Sequence, residues 1–268
     1  FLTGTPAAQG ASPPSMVPLS LVVAFVAGIV LAEQPSSVVG SEGACPHGTV
    51  PFPGLVVGST DCVEFAAAVA NTTEFLKRNL PPWDVLNEVT LFGKPGGADG
   101  LSLGLASSGV NMSLQTRQTR AWAAQVPRDI FNEYVATYAN VNEGRSDWRS
   151  LLQQALLPLV DEAAANASAA GRQFGIDEIV AVVNGYADPK ASVWTRLSKT
   201  EIKFKSGSTP LIFDPMSTIT FAGASCTGVS ILLVDALRSV GVPARVVGTP
   251  AWHHKPAIGN HNWIEVWS

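Results

Sequence analysis

The sequence predicts an α+β fold in which helices fill most of the chain and a helix packed on an antiparallel sheet closes it. Apolar residues recur at helical spacing in several stretches between residues 61 and 184. A strongly apolar helix then begins near residue 226, and two short strand-like stretches follow it at 244–249 and 261–267. Because the helices precede the strands and do not alternate with them, the order indicates α+β.

The composition is that of a folded chain and argues against nucleic acid as a partner. The chain has 268 residues, a hydrophobic content of 46% and a mean hydropathy of +0.22, which is ample for a core. It carries 17 Lys and Arg residues against 21 Asp and Glu, for a net charge of −4, and the basic residues form no cluster. Nucleic-acid binding is therefore disfavoured.

The N-terminal stretch resembles a leader. Residues 1–15 are rich in Pro, Ala, Ser and Gly, and Met16 opens an apolar run that ends before Glu33. We rank a secretory signal peptide first, an uncleaved membrane anchor over residues 17–32 second, and a chance apolar run third. The first basic residue is Lys77, so the usual positive segment is missing. If Met16 is the true start, residues 1–15 are upstream translation.

The cysteines fit an oxidising compartment. Cys45 and Cys62 are 17 residues apart, and we expect them to form a disulfide that leaves Cys226 as a free thiol. The chain is therefore predicted to be secreted or membrane-associated outside the cytoplasm, and to be a glycoprotein. The three sequons begin at Asn71, Asn111 and Asn166.

Most of the first two thirds is predicted to be helical. Six glycines between Leu91 and Gly109 predict a flexible connector and a domain boundary. Residues 199–215 have mixed strand and turn character. The helix over Met112–Gln125 is expected to point Arg117 and Arg120 outward. Two further helices are predicted over Asp61–Leu80 and Ile176–Asn184. Another has Pro127 in its first turn and runs to about Asn140. A long helix is capped by Asp147, runs to about Ala170 and is expected to kink at Pro158.

The apolar helix near residue 226 has clear ends. Ser225 is the expected N-cap, because its hydroxyl can accept a hydrogen bond from an unpaired backbone N–H. Arg238 lies in the last turn, Gly241 fits the position after the C-cap, and Pro243 prevents continuation. The intervening apolar residues at helical spacing are Val229, Leu232, Leu233, Ala236, Leu237 and Val240.

Cys226 lies at the first turn of this helix. Unpaired N–H groups and the positive end of the helix dipole favour a thiolate there, and the same N–H groups can stabilise an oxyanion. The simpler interpretation is that Cys226 is a small buried hydrophobic residue.

His261 opens the last predicted strand. Strand alternation places His261, Trp263, Glu265 and Trp267 on one face, and two antiparallel strands beside the helix could bring the imidazole over Cys226. A cysteine with a base in reach is a nucleophilic thiol site. Alone, His261 would more often be a structural strand histidine. The adjacent His253 and His254 lack an ordered ligand spacing, so we expect no metal and no cofactor.

Three segments around these residues resemble the transglutaminase-like superfamily. They are residues 223–228, 237–245 and 259–267, and the resemblance is dense from residue 217 to residue 267. The resemblance implies a papain-like α+β core, with Cys226 as nucleophile and His261 as general base.

Two upstream segments resemble the helical lead-in of some members of this superfamily more weakly. They are residues 126–135 and 142–149. We therefore divide the chain into an upstream segment with the leader (1–32), an N-terminal region of unknown role with the glycine-rich connector (33–110) and a transglutaminase-like domain (111–268).

One departure from the family pattern concerns the third catalytic residue. The family's aspartate follows the histidine strand, whereas this sequence has no aspartate after Asp235, so we expect the sequence to be a fragment. Glu265 lies on the histidine's face and is expected to support the site without orienting the imidazole. Such sites complete the oxyanion hole with an upstream donor, for which Trp194 and Asn184 are candidates. A core Trp and a helix-end Asn are the simpler interpretations.

The resemblance predicts a thiol enzyme that acts on a protein or peptide. Cys226 would form a thioester with a carboxamide or peptide carbonyl, and an amine or water would resolve it, so protease, amidase and transglutaminase remain open. The alternative is a non-catalytic binding protein, secreted or tethered to a membrane, on an inactive scaffold of the same fold.

Overall fold

The computed structural model describes residues 17–19, 45–53, 60–93, 104–255 and 259–268. The fold is α+β, as predicted. Two hydrophobic cores organise it: one around a β-hairpin and helices of the first half, the other around a buried helix and hairpin of the C-terminal part. The two cores are joined by direct bonds, such as the Trp148 indole N–H that donates to the Tyr138 carbonyl at 3.2 Å.

The first described unit is a hairpin followed by a helix. Strands β2 (Thr49–Pro53) and β3 (Thr60–Glu64) pair antiparallel, and α1 (Phe65–Arg78) follows. The helix predicted to start at Asp61 therefore starts four residues later. Residues 60–64 form a strand because they pair with β2, which is a long-range choice that local periodicity does not record.

The hairpin carries the expected disulfide. Cys45 and Cys62 are bonded, which confirms the predicted pairing, and Cys226 is the free cysteine. The bond closes a loop of 17 residues in sequence separation and anchors β3 to the segment before β2.

Removing this disulfide is expected to destabilise the hairpin. Cys45→Ser/Cys62→Ser should lower the free energy of unfolding by about 3 kcal/mol, because the unfolded chain loses a loop constraint of this length. Urea unfolding measures the difference. Reductant should lower wild-type stability to the level of the variant and leave the variant unchanged, and a wild type indifferent to reductant would contradict the prediction.

The predicted connector is shorter than expected. Helix α2 (Glu88–Phe92) and helix α3 (Leu105–Thr119) extend into the segment predicted as a connector over Leu91–Gly109. Gly104 precedes α3 against the α2 backbone, where a Cβ would lie 2.3 Å from the Leu91 carbonyl carbon. The close approach of α2 and α3 therefore explains why position 104 is a glycine, and this explanation does not require the segment to be flexible.

The side chain of Arg117 corrects another prediction. Arg117 was expected to point outward from its helix, but it is fully buried between the aromatic rings of Phe52 and Phe131. Arg120, by contrast, lies near the surface and pairs with Asp161 at 2.7 Å. Two short helices follow α3: α4 (Ala121–Ala124) and α5 (Arg128–Tyr134).

Two further helices match the sequence closely. Helix α6 (Trp148–Ala169) contains Pro158, and α7 has the predicted bounds, Ile176–Asn184. Asp147 precedes α6, but its side chain makes no capping hydrogen bond. Glu178 bonds the Gly175 N–H at 2.8 Å and so stabilises the start of α7.

The C-terminal unit is a helix against an antiparallel sheet. Helix α9 (Cys226–Ser239) packs on β6 (Ala244–Thr249) and β7 (His261–Val266), and β1 (Val17–Leu19) pairs with the other edge of β7. Before α9 lie β4 (Lys203–Phe204), α8 (Pro215–Thr220) and β5 (Gly223–Ala224), with β4 and β5 parallel.

Helix α9 is the centre of this core. Leu232, Leu233 and Leu237 are fully buried with Ile264 of β7, and helices α6 and α7 cover the other side. Gly241 adopts φ +87°, as the position after a helix C-cap favours, so the predicted stop is confirmed.

The leader and the domain division stay predictions. Apart from β1, the predicted signal peptide or anchor lies outside the described residues. Within the part of the chain that the structure describes, no helix is both long and apolar enough to cross a bilayer.

Candidate active site

Cys226 is the first residue of α9, as predicted, but the expected cap is absent. The Ser225 side chain makes no capping hydrogen bond; its hydroxyl donates to the Leu211 carbonyl oxygen at 3.4 Å. Its backbone carbonyl accepts from the Val229 N–H at 3.0 Å and starts the helix. Ser225 therefore ties the preceding loop to α9, and the first N–H groups of the helix have no side-chain cap.

The first turn of α9 is tightly packed except at the thiol. A Cβ on Gly228 would lie 2.5 Å from the Ala224 Cβ and 3.4 Å from the Phe213 Cβ. Only a glycine lets these neighbours approach so closely, whereas Cys226 is a free, half-buried thiol. The helix end is thus fixed in place while Cys226 keeps part of its surface in contact with solvent.

Strand pairing places His261 at the same end of the unit. The chain leaves the C-terminus of α9 and enters β6 at Ala244, whose carbonyl accepts from Arg238 at 3.0 Å. Strand β6 then runs back along the helix, and its last residue, Thr249, pairs with His261. Six strand residues span roughly 20 Å, and 14 helical residues span roughly 21 Å. His261 therefore lies toward the end of α9 that carries Cys226.

The two faces of β7 have different roles. Ile264 and Val266 are buried against α9, while His261 and Trp263 alternate onto the other face. Trp252, from the turn between the strands, contacts both, with ring centroids 4.4 Å from His261 and 5.8 Å from Trp263. His261 is the first residue of the strand, so it lies at the end of the sheet nearest the Cys226 end of α9, on the face opposite the helix.

Glu265 has a different partner. The Arg245 guanidinium donates to its carboxylate at 2.7 and 2.9 Å, and this hydrogen bond raises the pKa of Arg245. Tyr134 lies next to Arg245, with its ring 6.0 Å from the guanidinium carbon. The Glu265–Arg245 pair therefore links β7 to β6, and Arg245 in turn lies next to Tyr134 of α5.

Trp194 and Asn184, the two candidate oxyanion donors, bind each other. The Trp194 indole N–H donates to the Asn184 backbone and side-chain oxygens at 3.1 and 2.9 Å. The indole has a single donor, which this arrangement occupies. It supports the simpler interpretation for both residues, a core tryptophan and a helix-end asparagine.

The histidine pair forms part of a short turn. His253 and His254 lie in the 3-10 turn Trp252–His254, and His254 has φ +58°. Within the described ranges, no three His, Cys, Asp or Glu side chains lie close enough together to hold a metal ion.

The upstream segment of weaker resemblance packs on the far end of α9. Arg149 donates to the Arg238 carbonyl at 3.0 Å, and the Asn140 amide donates to Asp235 at 2.9 Å. Asp235 and Arg238 are buried in the last turns of α9. Sequence reasoning missed this polar cluster, although two charged residues within an otherwise apolar helix were a signal of it.

A large cleft opens at that far end. It has a volume of about 760 Å³ and includes Trp83, Tyr134, Tyr138 and Asn140 in its walls. Neither Cys226 nor His261 lines it. This cleft is thus separate from the thiol.

A comparison with protein families identifies the C-terminal part. Residues 179–268 match the model of the transglutaminase-like superfamily, which covers Cys226 and His261 and both elements that position them. Searches of curated proteins and of solved structures found no match. The C-terminal part of this chain therefore contains a transglutaminase-like domain.

Proposed function

We propose that the chain is a transglutaminase-like thiol enzyme acting on a carboxamide or peptide carbonyl of a protein or peptide. The observation that carries the proposal is the position of Cys226: a free, half-buried thiol on the uncapped first turn of a rigidly buried helix. His261, at the same end of the sheet, is the general base.

The reaction follows from these two groups. His261 takes the thiol proton, and the Cys226 sulfur attacks the carbonyl carbon to give a tetrahedral oxyanion. The Cys226 backbone N–H and the helix dipole stabilise that oxyanion. The imidazolium returns its proton to the departing ammonia or amine, which leaves a thioester. A primary amine then forms a new amide, or water forms an acid, and the thiol is restored.

Incorporation of a fluorescent primary amine into casein tests this function. Cys226→Ala should abolish incorporation, because no other group can form the thioester. His261→Asn should lower the rate about 100-fold or more, the usual contribution of a positioned base. His254→Asn is the matched control, since His254 is an exposed histidine of the neighbouring turn. Ammonia or peptide release without incorporation would indicate hydrolysis, and activity surviving Cys226→Ala would refute every version.

A non-catalytic binding protein on the same scaffold is the second candidate. It is favoured by the His261 ring, which packs with Trp252 on the face of β7 opposite α9, and by Glu265, which pairs with Arg245. The enzyme requires the imidazole to reach Cys226 around the strand end.

Alkylation of Cys226 by iodoacetamide separates the two candidates. In the enzyme, the rate at pH 6.5 should exceed that of a free cysteine peptide and fall in His261→Ala, because the histidine holds the thiolate. A rate equal to the peptide's and indifferent to His261 would support the binding protein.

We also propose that this protein works outside the cytoplasm, secreted or attached to a membrane. The Cys45–Cys62 disulfide supports this placement, because such bonds persist in oxidising compartments. Mass spectrometry of the protein from its native host, with and without reductant, tests the placement. Fully reduced Cys45 and Cys62 would argue against it.

A further inference from the structure

An exposed apolar surface surrounds the N-terminus of α9. Bulky apolar side chains stand in solvent on the segments that lead into the helix, and Leu211 and Phe221 are 55% and 61% exposed. We call this surface the Cys226 apolar patch. It consists of Phe204, Leu211, Ile212, Phe213 and Phe221.

Each part of the patch is attached to a residue next to the thiol. Phe204 pairs with Ala224 between β4 and β5, and the Leu211 carbonyl accepts the Ser225 hydroxyl. Phe213 lies beside Gly228, in the first turn of α9, where a Cβ would be 3.4 Å from the Phe213 Cβ. The patch is therefore attached to residues that precede and follow Cys226 in the chain.

The patch is ordered by its own contacts. The rings of Phe213 and Phe221 stack with centroids 5.4 Å apart, and the Lys205 ammonium donates to the Phe221 carbonyl at 2.9 Å. Asp214 caps α8 by accepting from the Met216 N–H at 3.1 Å, which fixes the start of the helix between the two phenylalanines. Exposed apolar side chains that are held in place by such contacts form a preformed apolar surface.

We infer that the Cys226 apolar patch is the substrate-recognition surface for a bulky apolar side chain adjacent to the reacting carbonyl. The inference rests on the proposed thiol chemistry, because it assigns the substrate class of that site: a polypeptide with Leu, Phe or a similar residue beside the reacting group. In a peptide whose carbonyl lies at Cys226, an apolar side chain next to that carbonyl can contact the patch and lose its contact with water.

Thiol-directed reagents test the patch without requiring turnover. Iodoacetyl-leucine amide and iodoacetyl-serine amide have the same reactive group and no net charge, and differ in the side chain. We expect the leucine reagent to alkylate Cys226 about tenfold faster, as partial burial of one leucine side chain predicts. Leu211→Ser/Phe221→Ser should abolish this preference and leave the rate with iodoacetamide unchanged. Leu86→Ser is the matched control, since Leu86 is 96% exposed and outside the patch.

Several results would overturn the inference. Equal rates for the two reagents in the wild type would do so, as would a preference that survives the double variant. If the patch is instead an interface between two copies, the wild type should show no preference and the double variant should convert a dimer to a monomer in sedimentation velocity. Absence of both amine incorporation and hydrolysis, with the reagent preference intact, would refute the proposed function, whereas equal reagent rates in an active enzyme would refute the surface assignment alone.

Discussion

Arg117→Met is expected to lower the free energy of unfolding by about 4 kcal/mol. The guanidinium donates to four backbone carbonyls, of which those of Ala123 and Val126 are buried, at 2.9 and 2.5 Å. Each buried acceptor left without a donor costs ~1–3 kcal/mol. The other two acceptors are Pro51 at 2.7 Å and Ala124 at 3.0 Å.

Methionine isolates the loss of donors from the loss of volume. Its side chain fills most of the same space and packs well on aromatic rings, such as those of Phe52 and Phe131. Burial lowers the pKa of Arg117 to about 9, with a further contribution from Arg128, so the group is still a cation at neutral pH.

Arg128→Met is the matched control for this experiment. Arg128 lies over the same Phe52 ring at 4.7 Å but is exposed, so its loss should change the free energy of unfolding by less than ~1 kcal/mol. Urea unfolding followed by circular dichroism measures both variants. Equal, small effects would show that water can replace the Arg117 donors.

Asp235→Asn is expected to change how stability depends on pH. Burial raises the pKa of Asp235 to about 7, against the opposing effects of Arg238, Asn140 and Arg149. In the unfolded chain an aspartate titrates near 3.9. Between these two values the folded state binds more protons than the unfolded state, so this group stabilises the fold at low pH and loses that contribution as pH rises toward 7.

The asparagine variant lacks this titration. The difference in unfolding free energy, wild type minus variant, should therefore fall between pH 4.5 and pH 7 and stay constant above pH 8. Urea unfolding at four pH values measures it. Asp161→Asn corrects for the loss of one negative charge, since that carboxylate is near the surface and pairs with Arg120. A difference that rises with pH would mean that the ion pair with Arg238, at 3.5 Å, outweighs burial.

The elements that position the thiol could be predicted from local patterns. Strand β6 has the predicted bounds, and α9 begins at Cys226 and ends before Gly241, as the sequence indicated. Strand β7 starts at His261 and ends one residue earlier than predicted. Apolar periodicity, a glycine after the C-cap and a proline act over a few residues, so the local sequence is sufficient to reveal them.

The hydrogen-bond partners of polar side chains could not be predicted from sequence patterns. Arg117 has the spacing of a surface residue on α3, yet β2 and α4 surround it with carbonyl oxygens. Ser225 has the residue type of a cap, but the loop at Leu211 takes its hydroxyl. Pro51 is 66 residues from Arg117 and Leu211 is 14 residues from Ser225, so the residue type at one position does not encode these pairings.

The sequence by itself therefore determined that Cys226 begins a helix, the extent of that helix, the strand that carries His261 and the superfamily resemblance of the C-terminal part. Only the tertiary structure decided which face of β7 packs on α9, that Trp252 contacts His261, and that apolar side chains gather around Cys226. The physical reason is range: capping, periodicity and turn formation are local, whereas burial and side-chain pairing depend on segments that meet only in the folded chain.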